Sequence, residues 1–214
     1  MKLIFFGAPG SGKGTQSKIV AKKLNIPHLS TGEILREAIK NKTEVGLEAS
    51  KFMDQGNLVP DSVIVGVVRN RLLAKDCERG YILDGFPRTI GQAEVLDRYF
   101  IEIGSQICSV IYLEVDHDQL IERLSGRRIC SSCGEEYHIK FRTPIKDGFC
   151  DLDNQELIHR PDDYEDQIRK RLINYEKNTQ PLIEYYKSKG CIIRIKAVGE
   201  VDQISKKIFE EIGY

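Results

Sequence analysis

Short apolar, β-branched runs alternate with amphipathic stretches along most of this 214-residue chain. KLIFF (2–6), YILD (81–84), SVIYLEV (109–115) and IIRIK (192–196) predict strands, with IPHLS (26–30) a weaker one. Between them the apolar positions recur every three to four residues. Val63, Ile64, Val67, Val68 and Leu72 follow that spacing, with Arg71 as the polar exception and Asp61 placed as an N-cap. Ile204, Ile208 and Ile212 repeat it near the C-terminus. Strand and helix alternating in this way predict an α/β fold, a parallel sheet covered by helices on both faces, with ligands bound beyond the carboxyl ends of the strands.

Two stretches break the alternation. Residues 30–59 carry two helical segments and no strand; Ser30 and Glu33 form a capping box and Gly56 a stop. Residues 126–163 scatter Gly, Pro and Cys among short polar and aromatic runs. Both read as insertions into a core made of residues 1–29, 60–125 and 164–214.

Composition narrows the function. Thirty-two basic residues balance thirty-two acidic ones, so no overall basic field grips nucleic acid, and an anionic partner has to be small and locally held. No apolar run approaches a membrane span, and MKLIFF is too short for a signal-peptide core, which makes cytoplasmic residence the expectation. A chain of this size does not need disulfide staples, so the six cysteines point elsewhere.

Chemistry enters with GAPGSGKGTQ (7–16). Between a predicted strand and a predicted helix, a Gly-rich loop aims backbone N–H groups at phosphate oxygens, and Lys13 adds a point charge at the helix N-terminus. Gly7, Gly12 and Lys13 fit the phosphate-loop pattern, but Gly14 stands where a magnesium-holding hydroxyl follows the lysine, and Thr15 comes one place late. That spelling separates the chain from GTPases and motor proteins. Asp84, closing YILD, is placed like a carboxylate that orients magnesium, or else as a strand-end hydrogen-bond acceptor. CSSC (130–133) followed by Cys150 and Asp153 is zinc-ribbon spacing, tetrahedral and closed, hence structural; Asp151 and His138 are rival fourth ligands, and iron or cobalt would also suit such a set. Cys77, Cys108 and Cys191 have no partners in sequence and read as small buried residues.

GAPGSGKGTQ, STGEILR (30–36), GNLVPD (56–61), YILDGFPRTIGQAE (81–94), ERLSGRR (122–128) and RPDD (160–163) together resemble the successive signatures of the adenylate kinases, of the long-lid bacterial type. The resemblance spans nearly the whole chain. It implies a five-stranded parallel sheet, with residues 30–59 as a mobile AMP-binding segment and 126–163 as a mobile zinc-binding lid. It also implies reversible transfer from MgATP to AMP, giving two ADP, by a monomer.

By the same resemblance ATP meets Gly10, Ser11, Gly12, Lys13, Gly14, Thr15, Arg123, Arg127, Glu136, Tyr137 and Val201. AMP meets Thr31, Arg36, Asn57, Leu58, Val59, Gly85, Phe86, Pro87, Arg88, Gln92, Arg160 and Arg171. Lys13, Asp84, Arg88, Arg123, Arg127, Arg160 and Arg171 carry the catalysis, and Asp162 and Asp163 brace the closed lid. Cys130, Cys133, Cys150 and Asp153 hold the zinc, three cysteines and an aspartate being one of the family's versions. Gln92 reads the acceptor adenine, although TIGQ (89–92) is also a capping box that would make the residue structural. A pyrimidine or guanine acceptor is the runner-up within this class. A nucleotide-switched binding module is the rival outside it, and the mixed charge of 126–163 speaks against a nucleic-acid grip. Glu33 stands where the family commonly has Asp, and KAVGEVDQI (196–204) is longer by a residue or two than the family's loop contacting the donor base.

Overall fold

The computed structural model describes residues 1–214. Five parallel strands form the central sheet: β1 (Lys2–Gly7), β2 (His28–Ser30), β3 (Tyr81–Asp84), β4 (Ser109–Glu114) and, last in sequence, the strand Ile192–Lys196. Their spatial order is β2, β3, β1, β4 and then Ile192–Lys196. The apolar runs are continuous because both faces are covered. Ile4 and Phe6 enter a cluster of 20 buried residues on one face, while Leu3 and Phe5 enter a cluster of 11 on the other.

Nine helices surround the sheet: α1 (Lys13–Leu24), α2 (Thr31–Lys40), α3 (Glu44–Met53), α4 (Asp61–Leu72), α5 (Ile90–Glu102), α6 (His117–Ser125), α7 (Glu165–Asn174), α8 (Leu182–Ser188) and α9 (Val201–Glu211). No helix is long and apolar enough to cross a membrane. On α4 the predicted stripe is real, with Ile64, Val68 and Leu72 buried. Its cap is not the expected one. Pro60 occupies the N-cap and Asp61 the first turn, so the Asp61 carboxylate is free to reach α5, where it accepts from Gln92 Nε2 at 2.6 Å and Thr89 Oγ1 at 3.2 Å.

Residues 30–59 hold α2 and α3, as their periodicity predicts. Residues 126–163 build a separate antiparallel sheet from β5 (Arg127–Cys130), β6 (Glu136–His138) and β7 (Leu157–Ile158), which makes Ile192–Lys196 β8. Of the three cysteines expected in the interior, Cys77 is buried and Cys191 half-buried, but Cys108 is exposed, because it lies in the loop before β4 rather than in the strand.

Each of the two central β–α connections delivers its loop to the same edge. Phe5 lies opposite Asp84 in the register of β1 and β3, so the loop after Gly7 and the stretch after Asp84 emerge side by side. This is the topological switch point, where the chain leaves β1 in one direction and reaches β4 in the other.

Packing of α2 on α3 depends on one missing side chain. A Cβ at Gly46 would lie 2.1 Å from the Ala38 carbonyl oxygen. Gly46→Ala is expected to lose about 1–3 kcal/mol of stability from overpacking, read by denaturant unfolding.

Candidate functional site

The phosphate loop begins where β1 ends. At Gly7 a Cβ would stand 2.6 Å from Ser11 Oγ and 2.8 Å from the Leu113 carbonyl oxygen, so only glycine lets the loop close against β4. Gly12 caps α1 with φ of 87°, a left-handed conformation that glycine adopts at no steric cost and that points the following N–H groups outward. Lys13, the first residue of α1, donates from Nζ to the Ala8 carbonyl at 3.4 Å. Burial drives its ammonium pKa down to about 8; Asp84 opposes this, and the charges of Arg88, Arg171 and Arg127 reinforce it.

Asp84 stands across from the loop, only 5% exposed. Burial favours its neutral form, but the hydrogen bond from His28 and the charge of Lys13 outweigh that and hold it below the usual carboxylate range. The unusual Gly14 now has a position: a Cβ there would touch Asp84 Oδ2 at 3.6 Å. The hydroxyl of the pattern comes one place later, on Thr15, which still lines the cavity.

Between loop and small sheet lies a cavity of about 250 Å³. Gly10, Gly12, Lys13, Gly14 and Thr15 line it from the loop, Asp84, Gly85 and Arg88 from the end of β3, and Arg36 from α2. Arg123, Arg127, Glu136, Tyr137, Arg160, Arg171 and Val201 complete its expected members. Ser11 does not reach it; the residue is buried and its Oγ has no partner.

The arginines fall into two groups. Arg127 makes a two-pronged pair with Asp163 (2.8 and 2.6 Å), Arg171 Nη1 reaches Asp163 at 2.8 Å and Asp162 at 3.1 Å, and Arg160 Nη2 reaches Glu136 at 2.9 Å. Asp163 is fully buried; burial alone would neutralise it, and the Arg127 hydrogen bonds instead keep it ionised. Arg36 and Arg88 have no carboxylate partner within ion-pair distance. Arg88 spends only Nε, on the Gly85 carbonyl at 2.8 Å. Arg36, desolvated and facing Arg160, has its pKa pulled down to about 10. Arg123 Nη2 donates to the Ala197 carbonyl at 3.2 Å.

An adjoining cavity shares Gly32, Gly85 and Arg88 with the first and gathers Thr31, Asn57, Leu58, Val59 and Gln92. Pro87 borders a third space beside Leu58, Arg88 and Arg171. Phe86 departs from expectation. Its side chain is buried in the core with Ala93 and Leu96 of the same cluster, not in the adjoining cavity. Gln92 reaches back as a capping residue does, but to Arg88 N (2.7 Å) rather than to Thr89 N, while Nε2 donates to Asp61. One N–H and one lone pair of its amide are left over. At the first residue of α9, the carbonyl of Val201 accepts from Gln16 Nε2 at 2.9 Å, so Val201 borders the cavity with its backbone acceptor already engaged.

Cys130, Cys133, Cys150 and Asp153 place their ligand atoms within 4.8 Å of one another. Backbone N–H groups of Ser132, Cys133 and Leu152 point at two of the sulfurs at 3.4–3.5 Å, an environment made for thiolate. Neither rival ligand is available. Asp151 Oδ1 accepts from Ile145 N, and both ring nitrogens of His138 are engaged, with Glu122 O on one side and the N–H groups of Lys140 and Phe141 on the other.

The sequence reading missed His28, Ser17 and Thr179. Thr179 Oγ1 donates to the Arg88 carbonyl at 2.8 Å from a π-turn spanning Tyr175–Thr179, and His28 lies on Asp84. None of the three belongs to a motif, and only spatial adjacency marks them.

A family model described as adenylate kinase matches residues 5–191. An adenylate kinase of Methanothrix thermoacetophila is 50% identical over 213 residues, covering 100% of this chain and 97% of that protein. One from Caldicellulosiruptor saccharolyticus is 47% identical, with 100% and 99% covered, and one from Clostridium botulinum (strain Loch Maree) is 45% identical with the same coverage. With its signatures in order and matched over nearly its whole length, the chain belongs to the adenylate kinase family and is a nucleoside monophosphate kinase.

Proposed function

We propose that the chain moves the γ-phosphoryl group of ATP to a phosphate oxygen of AMP, reversibly, by in-line displacement. The convergence of Lys13 and seven arginines, the six expected ones and Arg142, on one cavity, continuous with a smaller one under Gln92, carries this reading. Transfer between two polyanions asks little covalent chemistry of the protein and much positive charge placed in a dry site. The larger cavity would take the donor, its phosphates cradled by the loop and Lys13, its nucleoside between Arg123, Glu136, Tyr137 and Val201. Arg36 and Arg88, neither of which has an acid partner, would take the acceptor phosphate.

Arg127, Arg160 and Arg171 would surround the transferring group. Their pairs with Glu136, Asp162 and Asp163 hold the guanidinium planes in place beforehand, which spares reorganisation when charge develops. Gln92 would offer its remaining N–H and lone pair to the acceptor adenine, with Thr31 and residues 57–59 closing that pocket. Magnesium, bound with ATP, neutralises charge on the phosphate oxygens, and Asp84 would orient it through water.

Domain roles follow: residues 30–59 bind AMP, 126–163 form the lid, and the remainder is the core. Zn²⁺ on Cys130, Cys133, Cys150 and Asp153 would hold the lid's shape, since the donors fit a closed tetrahedral set.

A coupled assay for ADP formation from MgATP with AMP, CMP, UMP and GMP in turn tests the substrate. Turnover is expected with AMP, and equal turnover with CMP or GMP would overturn the base assignment. Metal content on the same preparation is expected at one zinc per chain. Chelation followed by magnesium replenishment should lower Tm by about 5 °C or more while leaving the initial rate at moderate temperature within about twofold. A rate lost without any change in Tm would instead mark a catalytic metal.

Lys13 gives a pH signature. Phosphate binding needs its charged form, so affinity is flat below the free-enzyme pKa near 8 and falls above it, where binding has to take up a proton. ATP Kd is expected to rise about tenfold between pH 7 and 9, with proton uptake visible by calorimetry in buffers of different ionisation heat. Lys13→Arg, always protonated, should show no such uptake.

A further inference from the structure

His28 has no part in the transfer as described, yet its ring lies against the carboxylate that would orient magnesium. It projects from β2 between α1 and β3. Ser17 Oγ donates to the Gly14 carbonyl at 3.0 Å, which leaves its oxygen as an acceptor 2.9 Å from His28 Nε2. The other neighbour of Nε2 is Asp84 Oδ2 at 3.2 Å, an acceptor only. Asp84 Oδ2 therefore requires the proton on Nε2, and Ser17 Oγ can accept a share of the same N–H. At the far side of the ring, Nδ1 is 4.0 Å from Glu33 Oε2, too far for a hydrogen bond, and Glu33 is held instead by Lys18 Nζ at 2.9 Å.

We infer that His28 is a positioning residue for the transfer: its Nε2–H locks the Asp84 carboxylate to the first turn of α1, through Ser17 and the Gly14 carbonyl, and so presents the free oxygen to magnesium-bound water. The inference rests on the magnesium reading of Asp84 given above. Apart from His28, no protein group donates to the Asp84 carboxylate, and Oδ1 accepts nothing from the protein. The terminal torsion of an aspartate is broad, so without that donor the carboxylate turns freely.

The test compares His28→Leu, His28→Asn and His28→Gln with Asp84→Asn. A glutamine amide reaches the position of Nε2 and an asparagine amide does not. His28→Leu and His28→Asn are expected to raise the Mg²⁺ concentration for half-maximal rate about tenfold at saturating ATP, the scale on which outer-shell partners act. The KM for AMP should stay within about twofold, and His28→Gln should restore the metal requirement. Mn²⁺ titrated into the enzyme–ATP complex and followed by electron paramagnetic resonance should show the same ranking, independently of turnover.

An unchanged metal requirement in His28→Leu alongside a raised one in Asp84→Asn overturns the role of His28 alone. An unchanged requirement in Asp84→Asn removes the magnesium reading itself. If His28→Leu does not fold, the asparagine and glutamine variants decide, and equal requirements in those two overturn the inference. Nitrogen-15 spectra of the free enzyme are expected to place the ring proton on Nε2; a proton on Nδ1 overturns it as well.

Discussion

Eight cationic side chains converge on one partly buried cavity, and most of the structure around that cavity answers the repulsion this creates. Like charges in a site of low effective dielectric repel strongly unless carboxylates or bound anions compensate them. The chain uses both means. Glu136, Asp162 and Asp163 compensate three arginines at 2.6–3.1 Å, and Asp84 faces Lys13. Arg36, Arg88 and Lys13 are left under-compensated, and the proton affinities of all three are depressed by burial and by neighbouring cations. Phosphate oxygens relieve that state, so part of the nucleotide's binding energy is set by strain present before it arrives.

The small antiparallel sheet shows the opposite economy. Its own buried cluster consists of Cys130, Tyr137 and Cys150, with Leu157 packed partly against it. Two of those three are thiols of the four-residue ligand cluster, and Tyr137 is tied to it as well, donating from its hydroxyl to Cys150 Sγ at 3.5 Å. So few apolar residues cannot hold a sheet together by hydrophobic burial. The cluster of three thiols and a carboxylate takes the place that a core would occupy, and β6 and the segment after β7 carry Glu136 and Arg160 into the cavity.

Much of this was legible in the chain itself. The strands were visible because a two-sided sheet demands unbroken apolar runs, and the phosphate loop because its glycines meet steric demands at Gly7 and Gly12. The four-residue thiol and carboxylate cluster followed from spacing, since two close-paired turns bring ligands together wherever the intervening chain goes. What failed depended on partners far away in sequence. Asp61 resembled an N-cap locally, but Thr89 and Gln92, about thirty residues on, claim its carboxylate. Phe86 sits inside a site motif, yet the large apolar core claims its ring. Val201 was placed correctly on the cavity wall, and only the register of α9 reveals that its carbonyl is already spent. His28 carries no signal at all in one dimension, because its meaning lies in the gap between α1 and β3.

One helix ties the two insertions to each other. Arg171 on α7 reaches Asp162 and Asp163 at the end of residues 126–163, and Asn174, one turn further, donates to the Gly56 carbonyl at 3.0 Å, at the end of residues 30–59. A Cβ at Gly56 would come within 3.3 Å of Arg171 Cγ, so the glycine admits that contact. Directly after α7 the π-turn brings Thr179 to the Arg88 carbonyl. Widened turns of this kind sit in helices where function needs a residue aimed off the helical register. Along fewer than ten residues, then, α7 and its extension touch Asp162 and Asp163, the carbonyl of Gly56 and the backbone of Arg88. A displacement of residues 30–59 or of residues 126–163 has to strain or release the contacts of the other through this one strut, by packing and hydrogen bonds already present in the chain.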